Sequence, residues 1–158
     1  NKHIETFKGV EHRLELVKEG KDFLVYNDSK STNWASTISA LRSLKDKRSE
    51  HSRLILMLGG KSRGRDDDLL SYMDSFKELV DDFIFFGEVS STLMSRATEF
   101  GLSAFEVKDV SSGVDVWMKN FSAKGVFLFS PAFPSFDLYS NYAKRGEDFK
   151  SQFKDLVL

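Results

Sequence analysis

The chain has 158 residues, of which 41% are hydrophobic and 30% are charged, a balance typical of one globular domain with a sizeable core. Its 23 basic and 24 acidic residues give a formal net charge of −1, which argues against nucleic-acid binding, and the lack of cysteine excludes disulfides and thiolate metal sites. No apolar run is long enough to span a bilayer and no signal peptide is visible, so we expect a cytoplasmic protein with no membrane association.

The N-terminal part predicts a β-hairpin, a polar loop and a helix. Two apolar runs, residues 13–18 and 23–26, flank a turn at Gly20, which is the pattern of a hairpin. Residues 27–33 are polar throughout, and from Trp34 onwards the apolar positions recur at helical spacing.

Four further units follow, each with a short apolar strand and an amphipathic helix. The predicted strands are residues 54–58, 83–86, 103–107 and 126–129, and the predicted helices are residues 69–76, 91–100, 113–120 and 136–156. This alternation predicts an α/β fold with a Rossmann-like, mostly parallel sheet, helices on both faces and the N-terminal β-hairpin at the start. Because crossovers between parallel strands are right-handed, the loops after the strands gather on one side, where such sheets bind ligands.

Three of these loops are rich in small, hydroxyl-bearing or charged residues. They are the first loop (residues 27–33), the second loop (residues 59–68) and the third loop (residues 130–137), with residues 87–90 as a weaker fourth. In the first loop, Asp28 can accept hydrogen bonds from a sugar diol, Lys30 supplies a compact positive charge, and Thr32 can donate to an anion. The same residue types dominate turns and helix caps, so a purely structural role is the open alternative.

The second loop places Lys61 and Arg63 just after two glycines that let a ligand approach the backbone. It lacks the spacing of a phosphate-binding P-loop, and a flexible solvated loop is the alternative. The third loop holds both prolines of the chain. They stiffen the turn before Ser135, whose hydroxyl and neighbouring N–H groups can hold a carboxylate at the predicted helix start, and a rigid helix cap is the alternative there.

No spacing of histidines or carboxylates predicts a metal centre, a nucleophilic triad or a pair of acid–base carboxylates. The three aspartates at residues 66–68 can attract Mg²⁺, but a charge run beside a helix start is more often a favourable contact with the helix dipole.

Taken together, these segments resemble the C-terminal domain of the Mur ligase family. The matching strings are GVEHRLE at residues 9–15, NDSKSTN at 27–33, LGG at 58–60, SPA at 130–132, and SFD at 135–137 followed by RGEDF at 145–149. The resemblance runs from about residue 7 to residue 153 and is greatest to the members that add D-glutamate. The first loop carries its most specific part.

The resemblance implies an ATP-dependent ligase of peptidoglycan precursor synthesis. In that reaction the carboxylate of UDP-N-acetylmuramoyl-L-alanine is phosphorylated, with ATP and Mg²⁺, to an acyl phosphate that the amine of D-glutamate attacks. By the same resemblance, Arg13 and Asp28 contact the ribose and phosphate region of ATP. Lys30 lies between the nucleotide and the acyl phosphate and is the expected catalytic residue.

The D-glutamate site is implied in the same way. Thr32, Ser135 and the backbone at Tyr142 are expected to bind the carboxylates of D-glutamate. Where the family usually has a lysine that grips D-glutamate, this chain has Arg63, with Lys61 close by, so that both cations are candidates.

The resemblance also divides the chain. Residues 1–6 are interpreted as a linker stub from a central domain missing from this sequence, and residues 7–158 as the C-terminal domain. In the family, the central domain holds most of the ATP and Mg²⁺, and an N-terminal domain holds the uridine nucleotide. We therefore expect a monomer that folds but shows no ligase turnover alone. Two alternatives stay open: a domain of another Mur-type or folylpolyglutamate-type amide ligase, and a non-catalytic Rossmann-like binding module.

Overall fold

A six-stranded sheet lies between two layers of helices in the computed structural model, which describes residues 10–64 and 71–158. The strands are β1 (Glu15–Glu19), β2 (Phe23–Asn27), β3 (Leu54–Gly59), β4 (Asp82–Phe86), β5 (Ala104–Glu106) and β6 (Gly125–Ala132). Their order is β1-β2-β6-β3-β4-β5, with β1 antiparallel to β2 and all other neighbours parallel. The predicted α/β fold, with its mostly parallel sheet and N-terminal hairpin, is confirmed.

Six helices are present in the described residues. They are α1 (Trp34–Ser43), α2 (Lys45–His51), α3 (Met73–Leu79), α4 (Ser90–Glu99), α5 (Val110–Asn120) and α6 (Tyr142–Ser151). None of these described helices has the length and apolar character needed to cross a membrane.

Both faces of the sheet are covered, because alternate residues of the buried strands point to opposite helical layers. In β3, for example, Leu54 and Leu56 belong to the core cluster that includes residues of α1, α3 and α4. Ile55 and Met57 belong to the other cluster, which includes residues of α5 and α6. The predicted covering of both faces is therefore confirmed.

Aromatic rings fix α6 against the sheet. The ring of Phe149 stacks on that of Phe129 with centroids 4.4 Å apart, and it meets the ring of Phe153 at 5.0 Å. Such ring pairs add specific attraction to the apolar area that they bury. Because Arg145 precedes Phe149 by four residues, it lies on the same face of α6 and is turned towards the sheet.

The helix predicted over residues 136–156 is wrong at both ends, because α6 spans only Tyr142–Ser151. The residues before it form turns, with the backbone N–H groups of Leu138 and Tyr139 both donating to Ser135 O. The helix begins only after Asn141, whose side chain accepts a hydrogen bond from Lys144 N at 2.8 Å. Ser135 therefore opens a turn and does not stand at a helix start.

Other boundaries also differ from the predictions. Strand β6 continues to Ala132, so the start of the third loop is still part of the sheet. Helix α2 was not predicted, because it buries none of its residues and so lacks an apolar stripe. The predicted linker stub at residues 1–6, the aspartates at residues 66–68 and the predicted helix start at residue 69 lie outside the described residues.

Gly146 stands where α6 has no room for a side chain. An added Cβ would lie 2.1 Å from Nδ1 of His12, a buried residue held by Asn27. We expect Gly146→Ala to lower the free energy of unfolding by about 1–3 kcal/mol, measured by urea denaturation of this chain.

Gly113→Ala is the matched control in the middle of α5. There the added Cβ would meet Met57 Cε at 2.4 Å, the end of a flexible side chain that can move aside. Alanine also favours a helix over glycine by up to about 1 kcal/mol, so this variant should be close to neutral. Equal stability of the two variants would contradict the tight packing of Gly146 on His12.

Candidate functional site

The first, second and third loops meet at the carboxyl-terminal edge of the sheet. The first and third loops are joined by a hydrogen bond from Ala132 N to Ser31 O at 2.9 Å. The second and third are joined by one from Lys61 N to Pro134 O at 2.8 Å. The loop after β4 joins the group through Val89 N, which donates to Gly60 O at 3.2 Å. The predicted convergence of strand-end loops is therefore present in the structure.

Two glycines make the close approach of the second loop possible. Gly59 and Gly60 have backbone φ values of 148° and 146°, which residues with a side chain rarely adopt. A Cβ at Gly59 would lie 1.9 Å from Phe86 O, and one at Gly60 would lie 2.4 Å from Pro134 O. The double glycine thus lets this loop pass between β4 and the third loop.

Asp28 is a buried anchor of the first loop. Its Oδ2 accepts hydrogen bonds from Ser31 Oγ at 2.6 Å and Ser130 Oγ at 2.7 Å, and its Oδ1 accepts one from Leu14 N at 3.0 Å. Burial raises the pKa of Asp28, while these hydrogen bonds and the charge of Arg13 act in the opposite direction. A carboxylate has about four acceptor positions, so one position on Oδ1 can still receive a ligand donor.

Ser31 is held by all three of its polar groups. Its N–H donates to Asp28 O at 3.0 Å, its hydroxyl to Asp28 Oδ2, and its carbonyl accepts from Ala132 N. The next helix is capped by Asn33, whose side chain accepts from Ser36 N at 2.9 Å, so Thr32 is not the cap. Of the three residues for which a turn or cap role was the alternative, Thr32 is therefore not the cap, whereas Asp28 and Ser29 do make hydrogen bonds that hold the loop.

A cleft of about 490 Å³ opens beside the first loop. Arg13, Asp28 and Lys30, the three residues predicted to contact ATP, all line it. The rest of the lining is mostly small, with Ala and Ser side chains of α1. Arg13 and Lys30 are exposed, so the cleft presents two cations to solvent above a buried carboxylate.

Arg63 lies between the first and third loops. Its Nη1 donates to Thr32 O at 2.5 Å and to Ala132 O at 3.1 Å. Its guanidinium carbon stands 4.9 Å from the ring centroid of Phe133. The structure therefore brings Arg63 and Thr32, two of the predicted D-glutamate ligands, into direct contact.

Lys61 is oriented differently. Its Nζ forms an ion pair with Glu88 Oε2 at 2.9 Å, on the loop after β4, and both side chains are exposed. The backbone of Glu88 is held in turn by Asp137, whose Oδ2 accepts from Glu88 N at 3.0 Å. The charge of Lys61 is thus partly compensated by a neighbouring carboxylate.

Ser135 and Tyr142 border the same edge from the third loop and α6. Ser135 is buried, and Tyr142, whose side chain is half-exposed, is the first residue of α6. The carbonyl of Tyr142 accepts a hydrogen bond from Ser29 Oγ at 2.7 Å, and Lys30 Nζ lies 6.0 Å from its ring centroid. The backbone N–H of a first helical residue has no partner within its helix and can serve an anion.

Arg145 was not assigned a role from the sequence, although it belongs to the RGEDF string. It is fully buried, and its Nε and Nη2 donate to Ser29 Oγ at 3.1 Å and Ser29 O at 2.8 Å. Its Nη1 donates to Phe133 O at 2.8 Å. Burial lowers its pKa to about 10. The sequence signal that could have identified it is its position four residues before Phe149, an aromatic core residue on the same helix.

His12 packs against α6, beside Gly146 and the ring of Tyr142, and takes no part in the cleft lining. Asn27 Nδ2 lies 2.9 Å from His12 Nδ1 and donates to Glu15 Oε1 at 3.0 Å. Since an amide nitrogen can only donate, Nδ1 of His12 is the acceptor in this contact. Among residues 10–64 and 71–158, no group of three or more His, Asp or Glu side chains is placed to hold a metal ion.

Comparison with known proteins gives the family, since residues 12–133 match the family described as Mur ligase, glutamate ligase domain. The chain belongs to this family. It is 38% identical over 155 residues to the UDP-N-acetylmuramoylalanine--D-glutamate ligase of Oenococcus oeni, and the match covers 98% of this chain and 33% of that protein. The chain spans about a third of the length of the curated relatives it matches.

Solved structures share the fold of this Mur ligase domain. The murein peptide ligase Mpl of Psychrobacter arcticus matches with a TM-score of 0.66 and 15% identity, over 98% of this chain and 32% of that one. The bifunctional folylpolyglutamate synthase/dihydrofolate synthase of Yersinia pestis, complexed with AMPPNP and Mn ion, matches with a TM-score of 0.53 and 15% identity, over 90% of this chain and 31% of that one. At these identities the likeness concerns the fold alone.

Arg145→Met tests whether this buried cation joins the loops of the Mur ligase domain. The variant removes three charge-assisted hydrogen bonds while keeping an apolar stem, so we expect a loss of about 3 kcal/mol of unfolding free energy. Hydrogen exchange at the Ala132 amide, which bonds across the two loops, should become faster.

Lys150→Met is the control on the same helix. Lys150 forms partly exposed ion pairs with Glu11 and Glu15, each at 3.2 Å. Such pairs contribute at most about 1 kcal/mol. A loss for Arg145→Met no larger than that of Lys150→Met would show that Arg145 does not hold the loops together.

Proposed function

We propose that this domain serves in the ligase that adds D-glutamate to UDP-N-acetylmuramoyl-L-alanine during peptidoglycan precursor synthesis. The carrying observation is the junction of the first and third loops. Arg13, Asp28 and Lys30 line the cleft. Two residues after Lys30, the carbonyl of Thr32 accepts a hydrogen bond from Arg63. A nucleotide site and an acid-binding site therefore share one edge of the sheet. The D-glutamate ligases among the relatives support the choice of acceptor.

The proposed reaction has two steps. In the first, a carboxylate oxygen of the UDP-linked muramoyl-alanine attacks the γ-phosphorus of ATP, and the bond to ADP breaks. In the second, the amine of D-glutamate attacks the acyl carbon and loses a proton, and phosphate leaves with the bonding electron pair. Phosphoryl transfer depends on positioning and charge neutralisation more than on a protein nucleophile. Mg²⁺ adds such neutralisation, and we assign it and most of the ATP to the two thirds of the ligase outside this chain.

On the nucleotide side, the exposed cations of the cleft carry the binding. Arg13 and Lys30 attract the phosphates, and the remaining acceptor position of Asp28 suits a ribose hydroxyl. Lys30, at the end of the cleft next to Thr32, neutralises the charge that develops on the acyl phosphate. Its ammonium needs only proximity, because a lysine acts as a point charge on phosphate.

On the acceptor side, Arg63 is the better placed of the two candidate cations. Its guanidinium lies at the junction of the first and third loops, where it contacts Thr32 and Ala132, whereas Lys61 Nζ is directed to Glu88 on the loop after β4. A planar guanidinium matches a carboxylate bidentately. The hydroxyls of Thr32 and Ser135 and the N–H of Tyr142 supply further donors for the second carboxylate of D-glutamate.

Arg63→Ala in the complete ligase tests the acceptor site. Loss of a bidentate charge-assisted pair should raise the KM for D-glutamate about 10- to 100-fold. The matched control is Lys61→Ala, since an exposed pair with Glu88 contributes little, and its KM should stay within about threefold of the parent. Steady-state kinetics at saturating ATP and UDP-substrate give both values. A ligase that incorporates no D-glutamate, or a larger effect of Lys61→Ala, would contradict the proposal.

Lys30→Ala tests the reaction centre. Removing a cation that neutralises the charge developing during phosphoryl transfer should lower kcat about 100-fold or more. Lys144→Ala is the control, because Lys144 is exposed on α6 and forms an exposed ion pair with Glu147 at 3.5 Å. Phosphate release under D-glutamate saturation reports the rate. Equal kcat values for the two variants would remove Lys30 from the mechanism.

A further inference from the structure

We propose that Phe133 is a positioning residue for the acceptor, because its ring holds the guanidinium of Arg63 in the orientation that binds a carboxylate of D-glutamate. The inference rests on the proposed function of Arg63 and goes beyond it, since it names the residue that orders an exposed side chain before the acceptor arrives.

The contact between Phe133 and Arg63 joins a buried ring to an exposed cation. Phe133 has no exposed surface, whereas Arg63 is exposed, and the guanidinium carbon is 4.9 Å from the ring centroid. The face of an aromatic ring attracts a cation, and a planar guanidinium can also stack on it. Two backbone carbonyls, of Thr32 and Ala132, also accept hydrogen bonds from Nη1. Arg63 is therefore held by ring and backbone together.

Phe133 is itself held rigidly by a buried aromatic cluster. Its ring meets Trp34 edge to face, with centroids 5.1 Å apart and an interplanar angle of 76°. Trp34 is in turn stacked on Tyr72 at 6.0 Å and meets Phe76 at 5.6 Å. The Phe133 carbonyl accepts the hydrogen bond of Arg145 Nη1. Both the ring plane and the backbone of Phe133 are therefore fixed in the absence of any ligand.

Such an arrangement affects binding more than chemistry. A free arginine side chain loses rotamer freedom when it captures a carboxylate, and one that is already ordered loses less. Because D-glutamate and the transition state contact Arg63 equally, the gain appears in the KM for D-glutamate and not in kcat. This division separates a positioning role from a general effect on folding, which lowers the amount of active enzyme.

Phe76 offers a matched control within the same cluster. It is also fully buried and also packs edge to face on Trp34, but the Arg63 guanidinium lies over the ring of Phe133. A leucine at either position removes a similar ring from the same core. Any difference between the two variants in D-glutamate binding therefore reports the contact with Arg63.

The experiment compares Phe133→Leu, Phe133→Tyr and Phe76→Leu in the complete ligase, with thermal midpoints recorded for each. Phe133→Leu should raise the KM for D-glutamate about fivefold, leaving kcat and the KM for ATP within about twofold. Phe133→Tyr retains the ring and should keep the parent KM, as should Phe76→Leu. In an Arg63→Ala background, Phe133→Leu should add no further increase. If Phe133→Leu does not fold, Phe133→Met, which keeps the volume without a ring, takes its place.

Equal KM values for D-glutamate in Phe133→Leu and Phe76→Leu would overturn the inference, as would a failure of Phe133→Tyr to retain the parent value. Arg63→Ala separates this inference from the proposed function. If Arg63→Ala raises the KM and Phe133→Leu does not, only the positioning role fails. If Arg63→Ala has no effect either, the acceptor site itself is wrongly placed.

Discussion

A buried guanidinium with neutral hydrogen-bond partners is the constraint on which the functional edge of this domain depends. Arg145 reaches from α6 into the interior and donates to Ser29 and Phe133. Burying a charge is costly unless its donors are hydrogen-bonded, and these contacts bond three of the N–H groups to backbone and hydroxyl oxygens. One partner belongs to the first loop and the other to the third. If either loop moved away, the buried guanidinium would lose hydrogen bonds that offset the free-energy cost of burying its charge. The stacked rings of Phe149 and Phe129 keep the helix in place behind it.

At this edge of the sheet, the polar groups with structural roles are buried, and the cations that face solvent lie above them. The buried polar groups, such as the carboxylate of Asp28 and the hydroxyls of Ser31 and Ser130, mostly bond to one another. The cations Arg13, Lys30 and Arg63 lie at the surface above them. The loops that carry these cations are held in place by the bonded layer below. Under the proposed function, this layering suits a domain that binds anionic substrates at a surface shared with other parts of the ligase.

The pattern of apolar residues predicts the strands of the sheet better than it predicts the helices. Continuous apolar runs such as residues 54–58 and 126–129 identify buried parallel strands, because both of their faces are covered. Helix α2 was not predicted from the sequence, because it has no stripe of apolar residues. The late start of α6 depends on the cap at Asn141 and on turns at Ser135, which are weak signals inside an amphipathic stretch. The surroundings of Lys61 and Arg63 could not be predicted from spacing, because Glu88 and Phe133, which contact them, are distant in sequence.

The hydrogen bonds of Ser31 also determine how Lys30 and Thr32 move relative to each other. Ser31 separates Lys30 from Thr32, so the Cα atoms of these two residues can be at most about 7 Å apart. With its N–H, hydroxyl and carbonyl all occupied, this residue acts as a fixed spacer. Under the proposed function, the cation that faces the phosphate and the hydroxyl that faces the incoming acid then shift together when the domain tilts. The spacing between Lys30 and Thr32 therefore stays the same if the whole domain turns about a hinge.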